Sequence, residues 1–402
     1  MKKNFMYLGT RSMIAMLSVA GFIGCSESST DNPTKTEDDY VLSGELSSKK
    51  ELKAGEVYVL KGGYHVKNGG LLKINEGVTI LSEDDGDVDY ILIEQGGMID
   101  AQGTSSKPIV MTSDLKEPGA WGGLHICGRA PINLEGGSGK SEIGDAQFGG
   151  SDETDNSGTL RYIRLEYTGY AFSEEKESNG VTFYGVGRGT KVEYLQAYKG
   201  ADDGFEWFGG TVNAKYLVSS GSEDDSFDWT DGWKGYGQFW VAQQGAEGDC
   251  LIEADNRSSN TTLTPVSNPT IANLTLIGNN STTSKRGARF RAGTYVKMYN
   301  TLITGKPEAV TTETAETESS FVNGNSEILF TEVATIFKSG VAGLSQAEGN
   351  AEGVELSFSK GYVGIKEGGK DMSSVDAFFT PTSYKGAVDP DNDWTKGWTK
   401  AL

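Results

Sequence analysis

Two short phrases carry most of the acid chemistry of this 402-residue chain. Asp202-Asp203-Gly204-Phe205-Glu206-Trp207 is answered twenty-two residues later by Asp224-Asp225-Ser226-Phe227-Asp228-Trp229. If the copies stack as neighbouring strands, Glu206 and Asp228 come within about 5 Å of each other. Two carboxyl groups that close match the nucleophile and acid of a retaining glycosidase. Asp202, Asp203, Asp224 and Asp225 stand at the preceding turn, where clustered carboxylates and backbone carbonyls suit calcium as a ligand. Neither EF-hand spacing nor a nonapeptide repeat accompanies them. Asp also favours turns for its own sake, by bonding nearby backbone, and the same residues then form a solvated acidic ladder.

Trp233, Tyr236, Phe239 and Trp240 follow the second copy, in and just after a Gly-broken stretch. Exposed Trp and Tyr faces stack on sugar rings, which makes Trp233, Tyr236 and Trp240 candidates for ligand binding. Strand alternation offers a second reading, with Phe239 and Val241 pointing inward and Trp233 packing a corner. Arg289 and Arg291 either complete a groove with Glu206 or pair with it as surface ion pairs. His65 and His125 are the only histidines. Both lie far from the Asp repeat, so a zinc site or a Ser-His-Asp triad is hard to build there.

The elements that must position these groups are short strands. Within each copy the aromatics alternate with an acid, Phe205 and Trp207 around Glu206, Phe227 and Trp229 around Asp228. A repeat of about 20 to 30 residues made of such strands is one turn of a parallel β-solenoid. Alternation puts the aromatics in the bore and the acids outside. Val181-Thr182-Phe183 and Ala288-Arg289-Phe290 fit the same frame, and Gly248-Asp249-Cys250-Leu251-Ile252-Glu253 is another coil whose register stays open. The 55 glycines against 9 prolines fit many corners between strands. The expected fold is an all-β, single-stranded parallel β-helix over residues 43–402, with a C-terminal cap over its open end. Residues 135–157 and 173–178 read as loops that leave the stack, and such loops are either solvated or carriers of binding groups.

The N-terminus reads as an address. Lys2, Lys3 and Arg11 precede an apolar run too short to span a bilayer, ending at Phe22-Ile23-Gly24-Cys25. Residues 1–24 are therefore expected to be a signal peptide, with Cys25 as the lipidated mature N-terminus. Residues 25–42 follow as a flexible acidic tether. Loss of the signal moves the formal net charge from −20 to about −23. That charge excludes nucleic acid and anionic lipid surfaces as partners, and admits cations, neutral glycans and proteins. Cys127 and Cys250 sit in strand-like phrases without a CxxC and are expected to be buried free thiols.

The order of phrases, from Gly69-Gly70-Leu71-Leu72 and Gly96-Gly97-Met98-Ile99 through Trp121-Gly122-Gly123-Leu124 to the closing Gly386-Ala387, Trp394 and Gly397-Trp398-Thr399, resembles a family of Bacteroidetes-type surface lipoproteins. The resemblance covers most of residues 54–399 and implies a right-handed parallel β-helix held by a lipid anchor at the outer membrane or cell surface. It implies no catalytic signature. The expected role is non-catalytic binding of a glycan or of an outer-membrane protein. The alternatives are a carbohydrate-active enzyme, a glycoside hydrolase or polysaccharide lyase using Glu206 and Asp228, and a structural spacer without a small ligand.

Overall fold

The computed structural model describes residues 37–173 and 176–402. Cys25, the signal peptide and most of the tether lie outside these residues. A short 3-10 turn, Glu37–Tyr40, leads directly into a strand at Val41–Leu46, so the strands begin just before residue 43, the expected start of the β-helix.

From Val41 to Lys338 the chain winds into a right-handed parallel β-helix, one sheet of 24 strands in which each strand pairs with those one coil before and after. The cause is visible rung by rung. Apolar residues at alternate positions face the bore, and a glycine or other left-handed residue turns many of the corners. Phe205 lies against Phe227 and Trp207 against Trp229 in strict register, and all four are fully buried. Rings of Phe183, Trp207, Trp240 and Trp233 stack through the bore at centroid distances of 4.7 to 6.1 Å. Such aromatic pairs add to the burial term.

A second ladder runs outside. Tyr162, Tyr194, Tyr216 and Phe239 stack face to face at 4.2, 4.2 and 5.1 Å. Each has a positive φ, between 51° and 63°, and bends its long strand around a corner. That bend corrects the alternation expected for the Tyr236–Gln243 strand. The left-handed residue at Phe239 shifts the pattern by one, so Trp240 and Ala242 face the bore while Val241 faces outward.

The C-terminal segment does not close the end of the solenoid. Its strand Tyr384–Val388 pairs antiparallel with Gly364–Glu367, and the chain then runs back along the flank towards the N-terminal coils. Trp398 packs edge-on against Tyr162 and Tyr194, and Arg164 donates to its carbonyl at 2.9 Å. The outer ladder is an apolar stripe that needs cover, and Trp394 and Trp398 supply it. The end of the bore is instead packed by Leu344, with Phe337 and Val341 beside it.

Candidate functional site

The outward side of one face carries the site. Register aligns His125, Thr182, Glu206, Asp228, Glu253, Arg289 and Thr311 on successive rungs. Rungs lie about 4.8 Å apart, so this file is a row of neighbouring side chains. The coil of open register therefore places Glu253 beside Asp228, with Asp249 at the turn above Asp224. Its longer spacing, with extra residues both before and after the Tyr236–Gln243 strand, hid the match from a fixed period.

Both excursions return to this face instead of standing free in solvent. The first places Ala146 and Phe148, beside Ile132 just ahead of it, on Leu92, Cys127 and Tyr184. It thereby delivers Glu142, which accepts a hydrogen bond from the Tyr184 hydroxyl at 3.2 Å. The second brings in Glu177. Neither glutamate shows any periodicity, so no sequence signal singled them out.

The result is a pocket of about 380 Å³ lined by ten carboxyl side chains, Asn179 and a single cation, Arg289. Asp202, Asp203, Asp224 and Asp225 all line it, together with Glu206 and Asp228. Asp203 and Asp225 are also part of the frame: their carboxylates accept from the backbone N–H of Asp225 at 2.9 Å and of Cys250 at 2.5 Å. Lys306, buried below, donates to the carbonyls of Gly248, Asp249 and Ser284 and to Asn279 Oδ1, fixing the turn that presents Asp249.

Electrostatics follow from crowding. Burial raises the pKa of Glu206 and Asp228 well above the usual carboxylate range. Glu142 and Asp228 add repulsion at Glu206, and Glu253 and Asp255 add it at Asp228. Asp203 and Asp225 are raised in the same way. Burial and neighbouring acids push Glu142 up to about 7, Asp202 to about 8 and Asp224 to about 6. Opposing charge is scarce. Arg289 donates to Glu253 at 2.7 Å and to Glu313 at 3.0 Å, and Arg291 to Glu253 and to Asp255 at 2.7 Å. Neither arginine pairs with Glu206, because Asp228 and Glu253 occupy the two rungs between Glu206 and Arg289.

Three groupings bring carboxylate oxygens within 4.8 Å of one another: Asp203 with Glu206 and Asp228, Asp202 with Asp203 and Asp224, and Asp224 with Asp225 and Asp249. A hard cation such as calcium suits these all-oxygen sets. The aromatic candidates are elsewhere. Trp233 and Trp240 are fully buried in the bore, their indole N–H groups bonded to the Val212 and Ala214 carbonyls. Tyr236 is half-buried against Phe378 and Phe379 of the tail. No sugar platform forms from these three: the bore takes the two indoles, and Tyr236 packs against the tail's Phe378 and Phe379. Cys127 and Cys250 are buried and free, and burial pushes the Cys127 thiol up to about 12.

The model of the pectate-lyase-like beta helix domain family matches residues 44–399. The chain belongs to that family. Membership in the pectate-lyase-like family fits a carbohydrate-related role. No curated protein and no solved structure matches the chain. For this member of the pectate-lyase-like family, the pocket sets a condition on any sugar it meets. A polyuronate brings carboxylates of its own, which ten acids repel unless cations bridge them.

Proposed function

We propose that this protein is a surface lipoprotein, of the Bacteroidetes type and anchored through Cys25, that binds a glycan in the acidic pocket without turning it over. One observation carries the reading: ten carboxyl side chains from several coils and two excursions converge on one cavity of sugar size. Carboxylates accept from sugar hydroxyls, and the rigid coils hold them in place before the ligand arrives. A lyase would need a cation free to stabilise the negative charge that develops on its substrate. The one cation in the lining, Arg289, is held by Glu253 and Glu313. An outer-membrane protein as partner belongs to the same proposal, as the neighbour to which the lipid anchor brings the glycan-binding domain.

The decisive experiment is a glycan array probed with the detergent-solubilised full chain beside its Asp228→Asn variant. Retention of a defined glycan class that the variant loses supports the reading. No retained glycan on the array overturns it.

A second reading rests on a specific contact. Glu206 and Asp228 place carboxylate oxygens within 4.8 Å of each other, near the separation of a retaining glycosidase pair, and both hold their protons above the usual range. Under that reading the full chain releases reducing ends from a polysaccharide panel, and Glu206→Gln or Asp228→Asn abolishes release. A panel without turnover removes it.

A further inference from the structure

Apart from the protons its own carboxyls hold, the pocket offers acceptors and almost no donors. Asn179 Nδ2 is already committed to Glu206 at 2.5 Å and to Thr182 at 3.2 Å. Arg289 is committed to Glu253 and Glu313. Every other side chain in the lining is a carboxyl. Asp203 and Asp225, 7% and 5% exposed, each have one oxygen bonded to a backbone N–H. Asp228 Oδ1 is closed off from solvent and bonded to nothing. A buried acceptor in that state is unfavourable until a donor reaches it.

A ligand that completes this set brings donors and positive charge together. A primary ammonium does both, with three N–H donors and no acceptor. The geometry agrees. Three acceptors each about 2.8 Å from one tetrahedral nitrogen stand about 4.6 Å apart, and Asp203, Glu206 and Asp228 place oxygens within 4.8 Å of one another. The volume points beyond a bare ion. About 380 Å³ lies in the range of pockets that enclose small organic ligands.

We propose that the pocket takes an amine-bearing sugar, a glucosamine-type unit of a de-N-acetylated glycan, with its ammonium among Asp203, Glu206 and Asp228. This rests on the glycan-binding reading above and names the glycan. Acetylation replaces the ammonium by a neutral amide with one donor and a methyl group, which the pocket has little apolar surface to receive. Carboxyl groups that hold protons in the empty pocket release them when the ammonium arrives.

The test is isothermal titration calorimetry on the full chain in detergent, near neutral pH. The probes are a β-1,4-linked glucosamine tetramer, its N-acetylated counterpart, oligolysine and calcium chloride. The amine tetramer is expected to bind at least about tenfold tighter than the acetylated one. Binding is expected to release protons, seen as heats that differ between buffers of different ionisation enthalpy. It is also expected to weaken at high salt and to fall about tenfold in Asp228→Asn. Glu206→Gln, with its melting temperature checked, serves as the second variant. Equal affinity for both tetramers, or tighter binding of oligolysine or calcium than of the amino sugar, overturns the proposal. If both tetramers bind equally and Asp228→Asn weakens both, the amino-sugar assignment falls while the glycan reading stands. If neither binds and the array retains no glycan, both fall.

Discussion

Glu206 and Asp228 hold the same position on successive rungs, yet only Glu206 has a neutral partner: Asn179 donates to its Oε2 at 2.5 Å, while Asp228 Oδ1 is buried without one. Stacking sets their proximity, and Asn179, in the turn that leads into the neighbouring strand, sets their inequality. Burial, Glu253 and Asp255 all disfavour the charged form of Asp228, so its ionisation costs the folded, ligand-free protein stability. Asp228→Asn keeps the shape and removes the charge. It is expected to raise the melting temperature of ligand-free protein above pH 7 by a few degrees, about 1 kcal/mol or more. A drop in a thermal melt would contradict this account.

The pH dependence has a defined sign. Seven pocket carboxyls, Glu142, Asp202, Asp203, Glu206, Asp224, Asp225 and Asp228, have pKa values raised above those of an unfolded chain. A group raised on folding adds stability below its unfolded pKa and loses it as pH rises through the folded value. Ligand-free protein should therefore melt higher at pH 5 than at pH 8. His125 opposes this: burial lowers its pKa to about 4, so its contribution is lost as pH falls below the imidazole range. One group against seven leaves the net sign unchanged. Melting curves across that window decide it.

Calcium should compete for the same oxygens. Millimolar calcium is expected to raise the melting temperature near pH 7.5, and a chelator to reverse the rise. The shift should shrink in Asp225→Asn, which belongs to one of the three carboxylate groupings. An unchanged melt on adding calcium would remove metal from consideration.

Trp240 tests the bore against the sugar platform. It stacks on Trp207 at 5.1 Å and on Phe227 at 4.8 Å with no exposed surface. Trp240→Ala is expected to cost about 3–5 kcal/mol of unfolding free energy. Chemical denaturation measures it. A variant of native stability that loses only ligand would place the ring at the surface instead.

The tail should behave as a structural strap. Trp398 is fully buried against the tyrosine ladder, and Lys400 donates to Glu166 and Tyr167. Trp398→Ala is expected to free the last residues for limited proteolysis while pocket affinity stays within about twofold, since the strap lies on another flank. Resistance to protease equal to that of the parent chain would refute this.

The repeat of Asp202–Trp207 in Asp224–Trp229 was enough to define a parallel solenoid, because a period-2 pattern at a fixed spacing has only one way to bury its aromatics. The outward positions of Glu206, Asp228 and Arg289 followed from the same alternation. Trp240 did not, because a single left-handed residue at Phe239 reverses the faces and leaves no mark on composition. Glu253 was hidden by a coil of different length. Glu142 and Glu177 come from excursions without period, and Phe148 and Ile132 dock the first of these on Cys127 and Tyr184 through contacts far apart in the chain. Local pattern determined which residues face out of the spiral. Only the tertiary structure decided which of them share one pocket, because burial and charge crowding depend on neighbours brought in across several coils.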